Sequence, residues 1–123
     1  MLILGFTWAP IGFLLAAIGS LGAEIGRAPV HALALGFAGS LLVAMVIRVT
    51  QGHSGRPLAM YPLAWLAFAS VQAAALLRLA AALQGEPGTL LVLVAAIFAA
   101  GLLPWLASNA AIYAAARRDG RPG

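Results

Sequence analysis

From Met1 to Ala23 the chain carries no charged side chain, and three later stretches are nearly as apolar. Crossing the roughly 30 Å hydrocarbon core of a bilayer takes about 20 consecutive apolar residues as a helix. Inside lipid, each backbone N–H and C=O must be satisfied within the segment itself. Apolar runs at about residues 2–22, 30–49, 61–83 and 89–116 therefore predict four transmembrane helices. Short connections between them predict two antiparallel hairpins. The expected fold class is an all-α membrane protein, a single domain over residues 1–123 that ends in a polar tail at 117–123.

Composition supports the membrane class against a soluble core. Hydrophobic residues make up 63% of the chain and the mean hydropathy is +1.02, whereas soluble domains hold roughly 45–50% apolar residues. The net charge of +4 is carried entirely by arginine. A pI near 11.3 invites a nucleic-acid reading, but the arginines lie at predicted helix ends and not along one basic face, so no nucleic-acid partner is expected. The absence of cysteine excludes disulfides, thiolate metal sites, Fe–S clusters and covalent haem attachment. No basic n-region precedes the first apolar run, so it does not read as a secretory signal.

Small residues at four-residue spacing mark close helix packing. Gly12, Ala16 and Ser20 make such a ridge in the first span. Ala32, Gly36, Ser40 and Ala44 make one in the second, continued by Arg48, while His31 lies on another face with Leu35, Ala38, Leu42 and Met45. Trp8, Tyr61 and Trp65 suit the headgroup level. Pro10 suits a first turn or a kink, Pro29 the first turn of span two, and Pro104 a kink in span four. Arg78, five residues from Leu83, is close enough to the end of span three to snorkel outward.

Four spans put both termini and the polar turn at residues 51–57 on one side. That side carries Arg48, Arg56, Arg117, Arg118 and Arg121, and the other carries Arg27 and Arg78 with Glu24 and Glu86. The excess of arginine predicts a multi-pass protein with cytoplasmic termini, a cytoplasmic His53 and an outward His31.

Polar chemistry concentrates in residues 30–58, which hold both histidines, His31 and His53, and two arginines, Arg48 and Arg56. No paired carboxylates, phosphate-binding glycine loop or nucleophile elbow is visible, so no catalytic residue is assigned and an enzyme with its own turnover is the least favoured reading. An imidazole at a membrane helix end is a candidate metal ligand, against the alternative of an interfacial histidine bonded to water or a carbonyl. His53, in a glycine-rich turn, is either a second ligand or simply solvated. Arg48 and Arg56 beside it are candidate cofactor-binding residues, since arginine pairs with carboxylates such as haem propionates. Their alternative role is marking topology and meeting headgroups. At roughly 1.5 Å per residue, an unbroken helix would hold His31 and His53 about 33 Å apart, at opposite membrane surfaces. Within one chain they cannot share one metal, so any site combines a single histidine with groups on other helices.

The run His31-Ala32-Leu33-Ala34-Leu35-Gly36, continuing to Gly52-His53-Ser54-Gly55-Arg56-Pro57-Leu58, resembles the signature region of the NnrS family. The ending Asp119-Gly120-Arg121-Pro122-Gly123 is also similar to that family's C-terminus. The resemblance implies a membrane protein containing haem and copper in the bacterial response to nitric oxide. It implies His31 and His53 as the ligand candidates, with Arg48 and Arg56 beside them. Family members have about twelve spans, so the chain resembles their C-terminal third. The implied partners are the lipid bilayer, further transmembrane spans of the same or a split protein, and nitric oxide. The alternative is a metal-free helical interaction or scaffold module.

Overall fold

The computed structural model describes residues 1–85 and 87–115. Four helices, each long and apolar enough to cross a membrane, account for the architecture: α1 (Leu2–Ser20), α2 (Ala28–His53), α3 (Pro62–Leu83) and α4 (Gly88–Ala114). No strand occurs among the described residues. Pro29 opens α2 and Pro62 opens α3, where the missing N–H costs no helical bond. Pro10 and Pro104 lie inside α1 and α4 with their rings exposed, and both helices run on past them. Glu86 and residues 116–123, with Arg117, Arg118 and Arg121, lie outside the described residues, and so does the far end expected for span four.

The centre of the bundle is α3. It buries 44% of its membrane-length window, against 17% for α1 and for α4. Its buried face is built on alanine (Ala64, Ala67, Ala74, Ala75, Ala81 and Ala82 among others), which lets neighbouring backbones approach. One core cluster joins Val43 and Ile47 of α2, Phe68 and Val71 of α3, and Trp105 of α4. The other joins Trp8 of α1, Ala32 of α2 and Ala75 of α3. Between α3 and α4 the fit is tight: a Cβ on Gly101 would lie 2.3 Å from Ser70 Cβ.

Helix α2 changes character along its length. Its first turn, Ala28–His31, is α-helical, Ala32–Gly39 is π-helical, and Ser40–His53 returns to α. A π turn bonds i to i+5 and is wider than an α turn, so side chains four apart drift less around the axis. That keeps Ala32, Gly36, Ser40 and Ala44 on one buried line. It is also the stretch against which α1 packs.

Three expectations need correction here. In α1 the buried ridge is Gly5, Trp8 and Gly12, while Ala16 and Ser20 are exposed, because α1 crosses α2 through its first half. Trp8 is not at a headgroup position: it is 6% exposed, since Gly36 leaves room for the indole on the face of α2. Span two is longer than its apolar run, because the helix continues through Gln51 and Gly52 to His53 and the turn begins only at Ser54. Gln51 itself is buried, with its amide donating to Ala59 O at 2.5 Å. That bond replaces the solvent expected around a polar turn.

Candidate functional site

The two histidines lie at opposite ends of α2, and each end has its own polar group of residues. At the first end, Gly26 (φ +50°) turns the α1–α2 loop close against α3, where a Cβ would meet Ala82 O at 3.2 Å. This approach sets His31 beside α3. Its Nε2 is 2.9 Å from Arg78 Nη2, and both side chains are half-buried. Arginine can only donate, so His31 Nε2 accepts and the ring proton sits on Nδ1. Arg78 therefore does not snorkel outward. A cation turned to a neutral imidazole within the bundle has a partner that would otherwise have to be water or lipid.

Midway across the bundle runs a hydrogen-bonded relay through three helices. Trp8 Nε1 of α1 donates to Gln72 Oε1 of α3 at 2.7 Å, and Gln72 Nε2 donates to Ser40 Oγ of α2 at 2.5 Å. The Ser40 hydroxyl in turn donates to Gly36 O. The sequence singles out Trp8 and Ser40 separately. Nothing in periodicity connects positions 8, 40 and 72, and only the pairing of helices joins them.

At the other end, His53 is exposed in the last turn of α2. Arg48 is also exposed and lines an open groove of about 590 Å³ shared with Met1, Ile47, Gln51, Met60 and Trp65. Arg56 is half-buried and lines a different groove, about 360 Å³, with Gln51, Tyr61, Ser108 and Ile112. Gln51 stands on the wall of both. The structure thus separates Arg48 and Arg56, and they do not converge on one group. Around them Thr50 Oγ1 bonds Tyr113 Oη at 3.1 Å, Tyr61 Oη approaches Asn109 Oδ1 at 3.4 Å, and Asn109 Nδ2 donates to Trp105 O at 2.8 Å. These contacts tie the ends of α2, α3 and α4 together.

A metal centre needs several converging donors. Among the described residues, no group of three or more His, Asp or Glu side chains is close enough to hold an ion, and the nearest group at His31 Nε2 is a cation. On their own, these residues make no multi-donor copper site, and a haem would have a single helix-bound histidine, His31, to draw on.

Compared with known protein families, residues 1–117 match the model described as NnrS protein. The chain belongs to the NnrS family. No curated protein and no solved structure matches it. The family match covers all four helices of this NnrS chain, including both histidines, Arg48, Arg56 and Arg78.

Proposed function

We propose that this chain is a four-helix module of an NnrS-type haem- and copper-containing membrane protein in the bacterial nitric oxide response. In this reading the chain occupies the C-terminal part of such a protein, and further helices complete the cofactor site. The family match over residues 1–117 carries the reading. Two features of the bundle support it. The helices α1 and α4 leave most of their apolar surface uncovered, as suits lipid or additional spans. And His31, alone of the two histidines, is set into a helix–helix contact with a hydrogen-bonded partner on another helix.

His31 is the imidazole this module contributes to a shared site, and Arg78 must give up its bond to Nε2 for that lone pair to meet a metal. His53 stands at the far surface and serves a separate role. No chemical step is assigned to the described residues.

Optical spectra and metal analysis of this module joined to the further spans of its protein test this reading. A haem absorbance band that is lost or shifted in His31→Ala, with helicity intact, is expected. A colourless, copper-free assembly would instead support the metal-free interaction module.

A further inference from the structure

The groove beside Arg56 holds a cation with nothing opposite it. Its guanidinium is half-buried, and Nε is shielded from solvent with no hydrogen-bond partner among the described residues. A buried charged donor left unpaired is costly, so native structures supply it an acceptor. Among the described residues no carboxylate lines the groove. The one acid among the described residues, Glu24, lies in the loop at the opposite end of the bundle. Of the other polar groups of the lining, the Ser108 hydroxyl and the second N–H of the Gln51 amide can donate, while the Tyr61 hydroxyl is turned to Asn109 Oδ1.

We propose that this groove binds the phosphate of an anionic bilayer lipid, with Arg56 as the principal contact and the Ser108 hydroxyl beside it. The site goes beyond the haem/copper reading and does not depend on it. Three observations select a lipid over other anions. The groove lies where α2 ends, α3 begins and α4 nears its last turns, the level at which headgroups meet membrane-crossing helices. The same turn exposes Leu58 (73%) and Met60 (44%) shortly after Arg56 and Pro57, apolar surface that suits acyl chains better than bulk water. Finally, the floor of the groove is partly apolar (Pro57, Ala59 and Ile112), as suits the glycerol and first methylenes below a phosphodiester. Arginine's fork of N–H donors matches phosphate oxygens better than an ammonium does.

Native mass spectrometry of the full chain, released from micelles doped with equal phosphatidylglycerol and phosphatidylcholine, tests the assignment. The expected result is retained phosphatidylglycerol in preference to phosphatidylcholine. Arg56→Gln should lower that retention about tenfold, the loss of one charge-assisted hydrogen bond, and Ser108→Ala should lower it less. Arg48→Gln, an arginine at the same membrane level in the other groove, should leave it unchanged. If Arg56→Gln fails to fold by circular dichroism, Arg56→Lys keeps the charge while losing the fork, and it should show a partial loss. Equal uptake of the two lipids, or equal loss in the Arg48 and Arg56 variants, overturns the site. Displacement by inorganic phosphate alone reassigns the groove to a free anion and overturns the lipid. Retained lipid with no response to any Arg56 variant overturns the role of Arg56.

Discussion

Gly36→Ala is the sharpest test of how α1 docks on α2. A Cβ built at Gly36 lies 2.3 Å from Trp8 Cδ2, 2.5 Å from Cγ and 2.7 Å from Cε3. Carbon atoms pack best at about 3.5–4.0 Å, so the indole must retreat by about 1 Å or more. It cannot do so and keep its Nε1 bond to Gln72 at 2.7 Å, because a donor displaced that far passes the limit of useful hydrogen-bond geometry. Forcing a methyl into a packed interior costs roughly 1–3 kcal/mol. Losing an interhelical hydrogen bond in a membrane bundle adds about 0.6 kcal/mol, and up to about 1.7. Alanine's better helix propensity returns at most about 1 kcal/mol. Sterics win, with a net destabilisation of about 1–3 kcal/mol. Gly52, by contrast, has nothing within 4 Å of its would-be Cβ, so Gly52→Ala should be neutral or stabilising by up to about 1 kcal/mol. Unfolding by a denaturing detergent, followed by circular dichroism, measures both. The decisive comparison is the background Trp8→Ala, in which Gly36→Ala should lose its cost because the clashing ring is gone. An unchanged cost in that background would refute the docking of Trp8 on Gly36.

Other outcomes follow from the same contacts. Gln72→Leu should destabilise the bundle by about 1 kcal/mol by stranding Trp8 Nε1, and a Trp8/Gln72 double-mutant cycle in detergent should return a coupling near 0.6 kcal/mol. His31→Ala and His53→Ala should have separable effects on bound haem and copper in this module joined to its further spans, because the residues end opposite turns of one helix; identical loss of one cofactor in metal analysis would contradict this. Topology is directly accessible, since the native chain has no cysteine to interfere. With the arginine-rich side inward, a thiol reagent applied outside the cell should label Ala23→Cys and miss Ser54→Cys, and the reverse pattern would invert the orientation.

The number and class of the helices are legible in the sequence because the bilayer imposes a length and a polarity that composition alone reveals. The four-residue seam from Ala32 to Ala44 is legible too, since small side chains at helical spacing have few other uses in lipid. Which groups meet across helices is not. Trp8 carries an amphipathic ring that suits a headgroup as well as a core, and only the space above Gly36 settles it in the core. Arg78 near a helix end reads as a snorkelling cation until α3 is set beside α2 and His31 becomes its acceptor. Arg48 and Arg56 are eight positions apart along one helix and its turn, yet the buried Gln51 and its bond to Ala59 part them into two grooves. A chain's local pattern records what each residue needs from its solvent, here lipid. Partners 32 to 64 positions away, as in the Ser40–Gln72–Trp8 relay, are chosen by helix crossing, which depends on the volumes of all the side chains at the contact together.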